Sequence, residues 1–437
     1  MKLGKLSLVA VMALGTSAFA VDNIKVNGEA KLWYQTSEYS GGATAVPAAD
    51  AAKDFFDKTN NSSALAKLSV GGSADLVQNI SLNVKMTAIS TLGLENNLVG
   101  AIPAAKYNND GTSAANALND QSWMEVANIK YATKEFDVAA GRMALNTPLC
   151  FSENWNVVDN TFEAAVAHAY VGDTILAAAW VGKHNGVGLL QPTAGRGTTV
   201  AYGGDFHNFG VSGAYAAAAI NKSVPNTTLQ AWYYNVPDIA DAYWLQADTK
   251  VAGMVDLGVQ FAGMNTDSAI TTLGAAATSH RDSTVVAVKG AVDVAGVNLY
   301  AAYSKVSTGT LGFANVATGD KTSLYTGLGS IYMDGEIVAA PDTKAWKVGA
   351  STKMVPGVTL STSYCAAEVG NNEGTAGAVQ GAASVNTDFK AWDVVAATKV
   401  GPVDLTAIYT QFDKDVKAND TSDKTTDTFR LIASLKF

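Results

Sequence analysis

The stretch Thr428-Phe429-Arg430-Leu431-Ile432-Ala433-Ser434-Leu435-Lys436-Phe437 decides the fold. Positions 429, 431, 433, 435 and 437 are apolar, whereas 430, 434 and 436 are polar. Side chains of a β-strand point to opposite faces in alternation, so this is a strand with one greasy and one wet face. A soluble protein rarely finishes on such a strand with an aromatic last residue and no tail. The pattern predicts a sheet with hydrocarbon on one side and water on the other.

Period two recurs along the chain. Ile24, Val26, Ala30, Leu32 and Tyr34 alternate with Lys25, Asn27, Glu29, Lys31 and Gln35. Ile80, Leu82, Val84 and Met86 alternate with Ser81, Asn83, Lys85 and Thr87. Tight turn signals fall at 75–78, 134–136, 172–173, 222–226, 252–253, 294–296, 355–357 and 401–402. Longer polar or Gly/Ala-rich connections fall near 37–63, 91–121, 142–160, 184–208, 236–240, 265–282, 307–342, 368–387 and 414–426. The stretch 198–206 reads as loop, although its Thr-Val-Ala-Tyr run resembles a strand. Eight tight turns alternating with nine other connections, eight of them longer than any of the turns, join eighteen strands. Short periplasmic turns and longer extracellular loops are what a transmembrane antiparallel β-barrel of the all-β class requires. The sheet must close, because lipid cannot satisfy a free strand edge.

Composition agrees. Only 16% of residues are charged, against about 25% in ordinary domains. Outside the first twenty residues there is no run of about 18 apolar residues, so no membrane-spanning helix is predicted. Lys2 and Lys5, the apolar Leu6–Leu14 and Ala18-Phe19-Ala20 read as a signal peptide over 1–20, leaving 21–437 as the barrel. The formal charge of −9 becomes −11 without Lys2 and Lys5. Such acidity argues against nucleic acid as a partner and, if it lines a pore, favours cations. Cys150 and Cys365 make no disulfide framework, and one bridge or two free thiols both remain open.

Aromatics gather near the ends of the alternating segments: Trp33, Tyr34, Trp123, Trp180, Trp232, Tyr233, Tyr234, Tyr243, Trp244, Trp346, Trp392, Tyr409, Phe412 and Phe437. Amphipathic rings favour the headgroup level, so these are expected to form interfacial girdles.

Three stretches carry a resemblance. They are Gly141-Arg142-Met143-Ala144-Leu145-Asn146-Thr147-Pro148 with Trp155-Asn156 and Asn160-Thr161-Phe162-Glu163; Asn226 to Tyr234 with Ala242 to Asp248; and the terminal Leu431 to Phe437. With these the chain resembles the major outer-membrane porins of the epsilonproteobacteria, which are related to OprD-type channels. The ending also resembles the recognition signal read by barrel-assembly machinery. The resemblance implies an eighteen-stranded barrel in the bacterial outer membrane, usually a homotrimer, passing small hydrophilic solutes and cations. Two features depart from it. A thiol, Cys150, follows the Leu-Asn-Thr-Pro run, and the only arginines are Arg142, Arg196, Arg281 and Arg430. OprD-type channels guide carboxylates along a basic ladder, so that specificity is not carried over.

A pore's chemistry is its lining. Strand parity assigns Lys25, Glu29, Lys31, Lys85, Asp248, Lys250, Arg430 and Lys436 to the lumen. The third long connection, 142–160, is expected to fold inward as the constriction, with Arg142, Asn146, Glu153, Asn156 and Asp159 at the eyelet and Phe151 and Trp155 pinning it. The resemblance also suggests structural calcium there, with Glu153, Asp159 and Glu163 as ligand candidates; no other cofactor is expected. His168, His184, His207 and His280 show no nucleophile–base pattern, and no catalytic or phosphate-binding motif appears, so no enzyme is expected. The expected function is passive diffusion of small hydrophilic solutes and ions, with cations preferred. The alternatives are a substrate-specific channel, or an adhesin whose loops 91–121 and 307–342 are displayed on a barrel anchor.

Overall fold

The computed structural model describes residues 22–41, 54–56, 62–94, 120–186, 203–210, 212–267, 280–328, 334–335, 337–370, 386–417 and 423–437. The expected signal peptide and most of the 91–121 connection lie outside the described residues.

The chain runs through β1 (Asp22–Gly41), β2 (Ser62–Val77), β3 (Ile80–Ser90), β4 (Gln121–Ala132), β5 (Phe136–Met143), β6 (Phe162–Val171), β7 (Thr174–His184) and β8 (His207–Asn208). It continues through β9 (Ala214–Asn221), β10 (Thr227–Val236), β11 (Ala240–Val251), β12 (Val255–Thr266) and β13 (Ser283–Val294). It ends with β14 (Val297–Val306), β15 (Thr343–Thr352), β16 (Val358–Val369), β17 (Thr387–Val400), β18 (Val403–Val416) and β19 (Lys424–Lys436). Successive long strands pair antiparallel, and β1 pairs with both β2 and β19. The two-residue β8 hangs on the upper end of β7, which pairs on to β9. The ring therefore closes on eighteen strands, as the alternation of turns predicts.

All eight predicted turns join neighbouring strands. Ala295 and Gly296 both have positive φ, 50° and 83°, the mirror-image turn whose twist suits a two-residue hairpin. Closure is completed at Gly28 and Phe437. Gly28 N–H donates to Phe437 O at 2.7 Å, and Phe437 N–H returns to Gly28 O at 3.0 Å. A Cβ on Gly28 would lie 2.4 Å from Phe437 Cζ, so the ring occupies space that only glycine leaves.

The two faces differ as the alternation demands. Leu32, Leu68, Ile129, Leu257, Val259, Leu299, Val348 and Leu431 point outward and are exposed on the isolated chain. Trp180, Tyr215, Tyr233, Tyr303, Trp346 and Trp392 are also exposed outward, seven to nine residues along the strand from the nearest short turn. They form an aromatic belt on the long-connection side.

The girdle expectation is corrected for six rings. Trp33, Trp123, Trp232, Tyr234, Trp244 and Phe412 are buried on the inward face. They pack against segments folded into the ring. Val157 and Val158 sit on Trp33, Leu65, Ile89 and Trp123. Leu149, Leu311, Phe313 and Leu324 sit on Trp232, Trp244 and neighbours from β10 to β14. Leu328, Ile337 and Val338 sit on Cys365, Phe389 and Phe412. Two connections thus enter the lumen, 144–161 and much of 307–342; for the second, sequence shows only a long connection, displayed outside under the adhesin alternative. Both cysteines are free and buried.

Outward Val259 is near mid-height on β12. Replacing it with Lys is predicted to cost about 2–4 kcal/mol of folding free energy in lipid vesicles. Reversible urea unfolding of the full chain measures this.

Candidate functional site

The two inward segments meet at Glu153. Its carboxylate accepts Trp155 Nε1 at 2.7 Å, Asn315 Nδ2 at 2.8 Å, the Lys321 N–H at 3.2 Å and the Thr318 hydroxyl. Burial pushes the Glu153 carboxyl up, while these donors and Lys321 act the other way. A zipper surrounds this knot. Val316 N–H donates to Leu149 O at 2.9 Å, Ser323 Oγ donates to Pro148 O at 2.8 Å, and Asn315 exchanges bonds with both backbone groups of Phe151. Thr147 shapes the entry locally, since its hydroxyl accepts Cys150 N–H at 3.1 Å and donates to Cys150 O at 2.8 Å.

Trp155 stands between two cations. Arg430 Cζ lies 5.4 Å from its ring centroid and Lys321 Nζ also 5.4 Å, within cation–π range. Gln35 Oε1 holds Arg430 through Nε at 3.0 Å and Nη2 at 2.7 Å. The neighbouring inner wall is lysine-rich. Lys31 faces Lys67 directly in register, a like-charge pair that needs an acid between. Glu29 supplies it, 2.5 Å from Lys67 and 3.9 Å from Lys31. Lys85 pairs with Glu125 at 2.7 Å, and Thr87 donates to the same carboxylate. Asp159, from the first inward segment, is charge-coupled to this group, and its Oδ1 is buried with no hydrogen-bond partner. Burial, helped by Glu125, pushes the Asp159 carboxyl up against the pull of Lys67, Lys31 and Lys85.

Across the lumen, Lys289 pairs with Asp248 at 2.6 Å and lies 4.2 Å over the Tyr325 ring. Tyr325 donates to the same Asp248 at 2.8 Å. Lys321 pairs with Asp334 at 3.1 Å. Lys347 donates to Gly327 O at 2.7 Å, fastening the second segment to β15.

The residues singled out from sequence are divided by this arrangement. Glu29, Lys31, Lys85, Asp248 and Arg430 share the inward face around the two segments. Lys250 pairs with Asp256 at 2.9 Å, near the short turns. Lys25 and Lys436 are exposed near that same end. Glu153 and Asn156 are buried in packed structure and do not line an opening. Asn146 is exposed and bridges to Phe151. Arg142 is corrected outright. It is opposite Ala127 and Glu163 in register, on the face shared by exposed Phe136, Val138 and Ile129, while Asp137, Ala139 and Met143 on the other face are buried. Arg142 and Glu163 therefore point away from the lumen. The three calcium candidates do not converge, and among the described residues no group of His, Cys, Asp or Glu is arranged to hold a metal.

Lys67, Lys289, Lys321 and Lys347 were missed. Lys67 was readable, since Leu68 beside it must face lipid and parity turns Lys67 inward. Lys321 was not, because a long connection carries no parity.

No protein-family model and no curated protein matches the sequence. Solved structures do match in fold. Pseudomonas aeruginosa OccK8 (OprE) aligns with a TM-score of 0.69 at 13% identity, covering 96% of this chain and 99% of that one. The P. aeruginosa outer membrane protein OpdK, solved with vanillate, aligns with a TM-score of 0.67 at 13% identity, covering 94% and 98%. P. aeruginosa OccK2 (OpdF), solved in complex with glucuronate, aligns at 0.66 and 14% identity, covering 95% and 98%. This chain has the fold of those proteins.

Replacing Glu153 with Ala strands four donors, of which those of Asn315 and Thr318 are buried, a loss of about 1–3 kcal/mol for each buried unsatisfied group. The segments should part, and single-channel recordings should show higher conductance and more noise than the parent. Arg142→Gln, on the outer face, should leave conductance unchanged in the same recordings.

Proposed function

We propose that this protein is an outer-membrane channel through which small hydrophilic solutes and ions diffuse passively. One observation carries the reading: a closed ring, apolar outside and charged inside, is narrowed by two segments packed on its inner wall. Lipid fits the outer face and water the inner one. Such a passage needs positioning and hydration rather than bond chemistry.

Small ions sense the summed charge of the chain, formally −9 and −11 without Lys2 and Lys5, so cations are preferred at low salt. Screening shrinks the preference as salt rises. In the proposal the channel is a homotrimer, as the resemblance implies, and chemical cross-linking in intact membranes would count the copies.

One observation favours a narrower reading, a channel selective for carboxylate-bearing solutes. Arg430, Lys31, Lys67 and Lys85 lie on the adjacent strands β19, β1, β2 and β3, and Arg430 stands 5.4 Å from the Trp155 ring. Lys67 and Arg430 are buried there, so Lys31 and Lys85 supply the positive charge that a solute would meet. Two of the similar proteins were solved with vanillate and with glucuronate, both carboxylates.

Planar-bilayer recordings and vesicle uptake test both readings. Purified protein should give discrete conductance steps, with a reversal potential in a KCl gradient on the cation-selective side. A chain that leaves the bilayer silent is no channel. Under the narrower reading, Lys85→Gln should slow glucuronate uptake several-fold while leaving uptake of a neutral sugar of similar size unchanged; equal slowing of both would leave only the general channel.

A further inference from the structure

Arg142, Glu163 and Lys183 form a charged cluster on the wall that faces lipid. Arg142 Nε donates to Glu163 Oε1 at 3.0 Å, and Lys183 Nζ lies 3.9 Å from Glu163 Oε2. Parity alone would turn Lys183 inward, with Val181. A register shift in the β6–β7 pairing at Gly182 prevents this: Ala164 pairs with Val181, but Glu163 pairs with Lys183. The extra residue re-aims the lysine outward, as β-bulges do.

A preformed pocket surrounds the cluster. It has a volume of about 680 Å³ and a floor of small residues that includes Ala127, Ala140 and Ala165. The Trp180 indole forms one wall. It lies across two glycines: a Cβ on Gly182 would meet its Cη2 at 2.6 Å, and one on Gly213, where φ is +83°, would meet its Nε1 at 2.8 Å. Phe206 supports the guanidinium, whose Cζ is 4.0 Å from the ring centroid. Arg142 Nη1 also donates to Met124 O at 3.0 Å. Two of the five guanidinium donors are thereby engaged among the described residues, and the Lys183 side chain is 46% exposed.

Height identifies the ligand. Trp180 belongs to the outward aromatic belt on the long-connection side. Arg142, Glu163 and Lys183 are level with it or just beyond. Rings at this level mark the boundary between hydrocarbon and headgroups. Charges here meet headgroups, and two cations against one carboxylate leave a net positive pocket. The outer leaflet facing the long connections of a bacterial barrel is built of phosphorylated saccharolipid. Phosphate oxygens suit a guanidinium fork and an ammonium, and a sugar ring suits the face of an indole.

We propose that this pocket binds a phosphate-bearing headgroup of an outer-leaflet saccharolipid, with Arg142 and Lys183 on the phosphate and Trp180 against the sugar. Orientation in the outer membrane comes from the channel reading above; the site itself is separate from the passage. Glu163 orients Arg142 and weakens the field, which keeps the bound lipid exchangeable.

The test uses the full chain in phosphatidylcholine nanodiscs carrying either diphosphorylated lipid A or its dephosphorylated form, with retained lipid counted by native mass spectrometry after mild delipidation. The phosphorylated form should be retained about tenfold more strongly, the size of one charge-assisted hydrogen bond. R142Q and K183Q should each abolish most of that difference, and Glu163→Gln should increase retention. Conductance should be unchanged in K183Q, which confirms a folded channel if R142Q assembles poorly. Equal retention of the two lipids overturns the proposal. So does displacement of the lipid by inorganic phosphate at equal concentration, which would make this a free-anion site. A Lys183→Cys variant that cross-links to a second copy in membranes overturns it too, since the occupant is then another protomer. Loss of conductance in the parent chain would instead count against the channel reading.

Discussion

Backbone N–H and C=O groups have no partner in hydrocarbon, and every other feature follows from that constraint. It forbids a free edge, so β1 must find β19, and thirteen residues of each strand pair from Glu29–Lys436 to Gly41–Lys424. Phe437 completes the seam on Gly28. Once the sheet closes, its outer face must be apolar and its inner face is left to water and charge. The ring alone would leave a wide lumen, so what fills it sets its width.

The filling is a second packing problem solved inside the first. Trp33, Trp123, Trp232 and Trp244 give the inner wall apolar patches on which two connections settle. Glu153 then ties the two connections together through four donors. A buried carboxylate is costly unless it is fully hydrogen-bonded, and this one is. Lysines and acids occupy the remaining wall in close pairs, so the passage is lined with charge of both signs, not with one uncompensated field. The pairs differ in which partner meets the lumen: Lys85 is 27% exposed against 3% for Glu125, whereas Lys67 is 2% exposed against 18% for Glu29.

Much of the ring was legible in sequence because period two and turn chemistry are local signals. The alternation around Leu32 and Leu431 predicts both the faces and the closing strand. The inner filling was less legible, for physical reasons. An aromatic near a strand end satisfies a lipid interface or an inward patch equally well, and only parity separates Trp33 from Tyr34. Parity fails where the register shifts, as it does at Gly182. It does not exist in connections, so neither Lys321 nor the inward course of residues 307–328 could be read. Arg142 is the clearest case: its place at the start of the third connection predicts an eyelet residue, yet one residue of alternation turns it outside.

The account rests on water on one side of each strand and hydrocarbon on the other. Single cysteines at Leu82, Asn83, Val84 and Lys85, in a background lacking Cys150 and Cys365, test it in lipid vesicles with a membrane-impermeant thiol reagent. The account predicts that positions 83 and 85 react and that 82 and 84 stay protected. Uniform labelling of all four, or protection of all four, would contradict it.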